Sequence, residues 1–122
     1  MSLDRGRTIF VVDDEKIIAQ TLAAILKQAG FDAKAFEDAQ SAIEAANSSA
    51  PELMIADVVM PRMTGIELAI LFRARWPACK VILFSGQAST ADMLETARKE
   101  GHEFDILAKP IHPADLLAKL SR

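Results

Sequence analysis

Asp13 and Asp14, Asp57, Ser85 and Lys109 each stand at the end of an apolar run: Ile9-Phe10-Val11-Val12, Leu53-Met54-Ile55-Ala56, Val81-Ile82-Leu83-Phe84 and Phe104-Asp105-Ile106-Leu107-Ala108. If these runs are strands of one parallel sheet, their carboxyl ends share an edge, and that edge is where ligands bind. Three carboxylates, a hydroxyl and an ammonium would then converge from distant parts of the chain. Asp13 and Asp14 cannot point the same way from an extended strand, but at a strand end the chain is turning and both can reach one cavity. With Asp57 beside them, the negative charges must raise a pKa or attract a cation. Hard oxygen ligands in this number suit Mg2+ (or Mn2+). Asp57 is the candidate nucleophile, because a carboxylate can attack phosphorus and carry an aspartyl-phosphate. Phosphoryl transfer needs mainly positioning and neutralised charge. Mg2+ would bridge one phosphoryl oxygen, Lys109 would hold a second, and the Ser85 hydroxyl or nearby backbone N–H groups a third. Taken singly, these residues have plainer readings: a solvated turn or helix cap at Asp13-Asp14, a turn at Ser85-Gly86, a surface lysine at Lys109. Their recurrence at equivalent strand ends argues against that.

The elements that must position them alternate apolar runs with helix-period segments five times, the pattern of βα units on a parallel sheet. Thr8 to Val12 leads into a helix over Glu15 to Ala29, where Ile18, Leu22, Ile25, Leu26 and Ala29 form one stripe and Gly30 is the stop. Phe31 to Phe36 is a short second strand, and Asp38 is an N-cap for Ala39 to Asn47. After the loop Ser48-Ser49-Ala50-Pro51 comes the third strand, Leu53 to Ala56. The loop Met60 to Gly65 precedes a helix over Ile66 to Arg75, broken by Trp76-Pro77. Lys80 to Phe84 is the fourth strand; Ser89 or Thr90 caps a helix to about Glu100, closed by Gly101. About Phe104 to Ala108 is the fifth strand, and His112-Pro113 opens the last helix. Near-continuous apolar strands imply a sheet covered on both faces. The pattern predicts an α/β fold, a flavodoxin-like doubly wound (βα)5 sandwich with a five-stranded parallel sheet of order 2-1-3-4-5. The site would lie beside the first and third strands.

The 122 residues suit one domain, about 8–120, with 1–7 as a flexible N-terminal segment. A net charge of −3 and the lack of any basic run argue against a nucleic-acid surface. No apolar run approaches the ~18 to 20 residues that span a bilayer. Met1-Ser2-Leu3-Asp4-Arg5-Gly6-Arg7 lacks the apolar core of a signal peptide. The single Cys79 excludes an internal disulfide, suits a reducing cytoplasm, and reads as a small core or loop residue. Met60, Met63 and Met93 read as loop and core fillers, and Leu116, Leu117 and Leu120 as a core stripe. Glu67, Arg73, Arg75 and Arg98 read as solvated surface. His102 reads as an exposed residue after Gly101, and His112 as the neighbour of Pro113.

From Thr8 to Leu120 the chain resembles a response-regulator receiver domain, the phosphoacceptor module of two-component signalling. The resemblance rests on Val12-Asp13-Asp14-Glu15, on the run from Asp57 through Met60-Pro61-Arg62-Met63-Thr64-Gly65 to Glu67, on Phe84-Ser85-Gly86, and on Lys109-Pro110. It implies that Asp57 takes a phosphoryl group from a histidine kinase or phosphotransfer protein. It implies further that Asp14, Asp57 and the backbone carbonyl of Val59 bind Mg2+, with Asp13 acting mostly through water. Ser85 and Lys109 would contact the phosphoryl group, and the Lys109–Pro110 bond would be cis, aiming the lysine inward. The output domain or downstream protein would meet the surface of the fourth helix, fifth strand and fifth helix, and a homodimer is left open.

The chain departs from the pattern in two respects. Many receivers carry, three positions before the lysine, an aromatic residue that swings inward with the Ser/Thr hydroxyl; here it is Ile106. Phe104 lies on the same strand face and reads as core or edge packing, with partial substitution for the missing ring as the alternative. Val59 is apolar and Gln87 uncharged at the positions that tune dephosphorylation, which predicts slow loss of the phosphoryl group. The module is a signalling switch rather than an enzyme, one that supports its own Mg2+-dependent phosphorylation and dephosphorylation. The alternative is a small Mg2+-dependent aspartyl-phosphate phosphatase or phosphotransferase. Haloacid-dehalogenase-like phosphatases share the ingredients but place Asp-x-Asp on the first strand and add a cap. An acidic Asp13-Asp14-Glu15 turn would repel a flavin phosphate, which rejects a flavodoxin-type electron carrier.

Overall fold

The computed structural model describes residues 7–86, 90–109 and 111–120, with Thr90 by its backbone alone. The segment before Arg7, Gln87, Ser89 as an expected cap and the Lys109–Pro110 bond therefore lie outside the described residues. Five strands and five helices alternate: β1 (Thr8–Val12), α1 (Lys16–Gln28), β2 (Asp32–Phe36), α2 (Ala39–Ser48), β3 (Leu53–Asp57), α3 (Gly65–Arg75), β4 (Lys80–Ser85), α4 (Thr90–Lys99), β5 (Asp105–Ala108) and α5 (Pro113–Leu120). The strands form one parallel sheet in the order β2-β1-β3-β4-β5, the topology that the alternating pattern predicts.

Period-two alternation divides the strand residues between two cores. Phe10, Val12, Met54, Ala56, Val81 and Leu83 pack against α2, α3 and Ala97 of α4. Ile9, Val11, Leu53, Ile55, Ile82, Phe84 and Leu107 pack against α1 and α5. The central strands β1, β3 and β4 therefore read as unbroken apolar runs, because both their faces are covered. Leu116 and Leu120 of the predicted stripe are buried, and Leu117 packs against the same cluster. Cys79 is buried, with its thiol donating to the Lys80 carbonyl at 3.4 Å.

Helix ends follow local chemistry. Asp38 accepts the Ser41 N–H at 2.7 Å and caps α2. At α1, Phe31 N–H reaches back to the Leu26 carbonyl at 3.0 Å past Gly30. Thr64 and Glu67 form a reciprocal capping box on α3: Thr64 N–H donates to Glu67 Oε1 at 2.9 Å, and Glu67 N–H donates to Thr64 Oγ1 at 3.1 Å. Glu67 is exposed, as its reading as solvated surface has it, and its carboxylate also closes that box. Among the described residues, no helix is long and apolar enough to cross a membrane.

The fully buried Phe72 fills the α3 face of the larger core. Phe72→Ala should lower unfolding free energy by about 3–5 kcal/mol, whereas Thr64→Ala should cost about 1 kcal/mol, measured by urea unfolding.

Candidate functional site

Register sets the strand ends level. Val12 pairs with Ala56, Asp57 with Phe84, and Ser85 with Ala108. Asp13 and Lys109, one residue past their strands, thus flank Asp57 across the sheet edge. Asp13 is fully buried and Asp57 is 6% exposed, while Asp14 points out to solvent. Oxygens of all three carboxylates still lie within 4.8 Å of one another.

One ammonium reaches this cluster among the described residues. Lys109 Nζ stands 3.1 Å from Asp57 Oδ2 and 3.3 Å from Asp13 Oδ2. Its charge also lies 4.9 Å above the Phe84 ring centroid. Burial works against the Lys109 charge, but the hydrogen bond that its ammonium donates to Asp57 and the charges of Asp13 and Asp57 outweigh it, holding its pKa above the usual value. For Asp13 the balance falls the other way. Burial pushes its carboxyl up, and the Asp57 charge adds to this, against the Glu15 N–H at 2.9 Å and Lys109. Three carboxylates facing one ammonium leave two negative charges uncompensated, which a divalent cation of oxygen preference would balance.

Two glycines keep the geometry open. A Cβ on Gly65 would lie 2.0 Å from the Asp57 carbonyl oxygen, and the Gly65 N–H bonds to the Val58 carbonyl at 2.9 Å. Any side chain there would push the loop off the strand end that carries Asp57. A Cβ on Gly86 would meet Lys109 Cβ at 2.9 Å, so Gly86 leaves the lane along which the lysine runs. In the loop between Asp57 and Gly65, Arg62 takes φ 70°, a left-handed conformation costing roughly 1–2 kcal/mol for a side chain with Cβ. Ser85 ends β4, and its carbonyl accepts the Lys109 N–H at 3.0 Å, tying hydroxyl and ammonium to adjacent strand ends.

The cluster opens into a hollow of about 690 Å³ with Asp14, Asp57 and Lys109 at one end and Ile17, Ile18, Leu22, Ile25 and Ile111 along its wall. Val59, 40% exposed, and Gly86 complete its rim. Neither histidine reaches the cluster. His102 is half-buried rather than exposed, its ring stacked at 13° on Phe104 with centroids 6.5 Å apart. Arg73, expected as solvated surface, lies over the same ring at 4.0 Å from its centroid. Ile106 is 37% exposed. Cys79 is no nucleophile: burial, with the Glu52 charge adding to it, pushes its thiol up to about 12.

A family model described as the response regulator receiver domain matches residues 9–121. The chain belongs to the response-regulator receiver family. It is 33% identical over 113 residues to the transcriptional regulatory protein CreB of Escherichia coli, covering 93% of this chain and 48% of that protein. It is 32% identical over 114 residues to the DNA-binding transcriptional regulator NtrC of Proteus hauseri, covering 93% and 24%. The chain thus spans about half or less of these relatives' length. Its fold is similar to a signal receiver domain of an HD domain-containing protein from Pseudomonas fluorescens Pf-5, with a TM-score of 0.85, 27% identity, and 95% and 92% of the two chains covered. It is also similar to a two-component transcriptional regulator AraC from Clostridium phytofermentans, with a TM-score of 0.82, 34% identity, and 94% and 90% covered. As a receiver domain it is a signalling module of two-component regulators, and the phosphatase alternative is not favoured.

The buried Asp13 makes a test of the site's electrostatics. Its carboxyl is raised in the folded receiver, so it favours folding fully below the unfolded-state value and loses that contribution as pH rises through the folded value. Asp13→Asn should therefore stabilise the metal-free receiver at neutral pH. The gain should vanish in acid, where Asp13 is protonated folded or unfolded. Melting curves in chelator across pH check this, and a gain that is flat with pH would sink it.

Proposed function

We propose that Asp57 is the phosphoacceptor and that Asp13, Asp14, Asp57 and the Val59 backbone carbonyl hold Mg2+. The observation that carries this reading is the Asp57 carboxylate, nearly buried yet at the mouth of an open hollow and 3.1 Å from Lys109 Nζ. The excess of carboxylate over ammonium and the raised pKa of Asp13 support a divalent cation. Mg2+ bound there would supply positive charge against the acidic cluster and the phosphoryl oxygens.

The chain's own groups divide the remaining work. An Asp57 oxygen attacks phosphorus of a phosphohistidine; the new P–O bond forms as the P–N bond breaks, and the imidazole leaves with a proton from solvent. Lys109 already points at the carboxylate that receives the phosphoryl group, so little movement lets its ammonium pair with a phosphoryl oxygen. Ser85, on the neighbouring strand end, offers its hydroxyl to another. The result is an added charge of roughly −1.5 to −2, by analogy with phosphohydroxyl side chains, beside residues packed for a different balance. We assign the readout to the α4/β5/α5 surface, facing an output domain or a downstream protein, and place the chain in the cytoplasm.

The hollow supports a helical donor. Ile17, 79% exposed at the start of α1, stands with Ile18, Leu22 and Ile25 as an apolar wall leading to Asp57. An amphipathic helix carrying the phosphohistidine would lay its apolar face on that wall.

Incubation with acetyl phosphate should add one phosphoryl group by intact mass, only with Mg2+ and not in Asp57→Asn. Because Val59 cannot orient an attacking water, the adduct should persist beyond about a minute. No adduct, even with beryllofluoride as a trap, would refute the assignment. Ile17→Glu should slow transfer from a phosphohistidine protein by about tenfold or more, the loss expected for an apolar anchor, while acetyl phosphate labelling stays unchanged. Equal slowing of both reactions would remove α1 from the docking surface.

A further inference from the structure

The edge of the sheet opposite Asp57 also gathers charge, of the other sign. Leu53, Lys80 and Asp105 are the first residues of β3, β4 and β5, so they stand at the amino ends of the strands. A cavity of about 620 Å³ reaches there from the last turn of α3 to the last turn of α5. Three cations line it: Arg73 of α3, Lys80 of β4 and Lys119 of α5. Among its described lining residues Asp105 is the one carboxylate, and the buried Leu53 and Leu120 supply an apolar wall.

These cations are incompletely neutralised. Lys119 Nζ stands 4.0 Å from Asp105 Oδ1, a loose approach, although the lysine side chain is only 22% exposed. Arg73 makes no salt bridge among the described residues. Its guanidinium lies 4.0 Å from the centroid of the Phe104 ring, on which His102 also stacks. That ring positions the guanidinium and leaves its N–H donors uncommitted. A further acid, Glu52, whose charge acts on Cys79 in the cavity wall, is already engaged by the Thr8 N–H at 2.7 Å and Arg7 at 3.5 Å. The carbonyl ends of α3 and α5 offset about half a charge each. Three cations against one carboxylate and two such ends still leave the cavity positive, in a chain whose net charge is −3.

We propose that this cavity binds a small phosphate monoester of nucleotide size, its phosphoryl oxygens held by Arg73, Lys80 and Lys119 and its uncharged body against Leu53 and Leu120. A phosphate monoester has three terminal oxygens and carries roughly −1.5 to −2 charges near neutral pH, which suits cations brought from three elements. The planar fork of a guanidinium matches two such oxygens at once. A concave site of this size with an apolar wall fits a small molecule better than a flat acidic surface. The site lies at the far edge of the sheet from Asp57 and does not depend on the phosphoacceptor reading.

The probe is adenosine monophosphate, titrated into the whole chain in metal-free buffer and followed by amide resonances and melting temperature. The amides of Lys80, Asp105 and Lys119 should shift and saturate, and the melting temperature should rise. Adenosine, which lacks the phosphate, should do neither. Inorganic phosphate should move the same amides with about tenfold or more weaker affinity, because it lacks the body that meets the apolar wall. Arg73→Gln and Lys119→Gln should each weaken the monophosphate about tenfold or more, the size of one charge-assisted hydrogen bond. Asp105→Asn, which removes the one carboxylate, should bind it more tightly, a gain that damage to the fold cannot produce. No shift at millimolar monophosphate, equal shifts with adenosine, affinity unchanged in both glutamine variants, or weaker binding in Asp105→Asn would each overturn the site. Tighter binding of hexaglutamate to the same amides would overturn it too, making the cavity a docking place for an acidic protein segment.

Discussion

Everything at the sheet edge turns on how like charges are held together. Asp13 and Asp57 are both buried, and the ammonium between them comes from a residue 96 positions from the first. Like charges so placed would drive the strand ends apart, were a cation not supplied. Lys109 meets part of that demand, and its two contacts, at 3.1 and 3.3 Å, join the central strands to the edge strand β5. The excess of negative charge over Lys109 is what prepares the site for further positive charge, and the same excess makes it responsive to a phosphoryl group.

That arrangement is possible only because the sheet is parallel and its register is pinned by burial. A one-residue slip of β3 would exchange Met54 and Ala56 with Leu53 and Ile55 between the two cores, turning every side chain to the wrong helices. The same slip would move Asp57 out of level with Asp13 and Lys109. Packing of the two cores and placement of the charged groups are thus one constraint. Gly65 and Gly86 add the local condition that nothing intrude on the Asp57 carbonyl or the Lys109 stem.

The apolar runs were legible because strands covered on both faces need no alternation to be recognised, and the charged residues at their ends stood out against them. Less was legible for β5, whose residues are mostly exposed and whose run begins one residue later than its apolar pattern suggests. The Asp13-Asp14 pair gave no sign of which carboxylate would be buried. Adjacent residues at a turning strand end obey no period, and the Glu15 N–H that holds Asp13 is a product of the turn. Thr64-x-x-Glu67 was readable as a capping box from spacing alone, but its place after a loop concealed it. Arg73 is exposed, as its reading as surface has it, but its contact with Phe104 was not readable, nor was that of His102. Their roles come from a ring on another element, and no local rule links a helix arginine to an aromatic residue beyond the next strand and helix.

The distribution of burial also says where a change at Asp57 can travel. Lys109 follows a four-residue strand that pairs on one side only, with three of its four residues exposed. A charge-assisted hydrogen bond is worth about 1.5–3 kcal/mol, so exchanging one for another can bias an equilibrium by about tenfold to a hundredfold. Against the central core that bias would achieve nothing, since displacing a side chain such as Phe10 or Phe72 costs about 3–5 kcal/mol each. Against β5, where Leu107 alone is buried, and the first half of α4, whose described side chains are at most half-buried, it is of the right size. The receiver therefore carries its ammonium beside the part of the fold that opposes rearrangement least, and a rigid core on the other side keeps the response directed there.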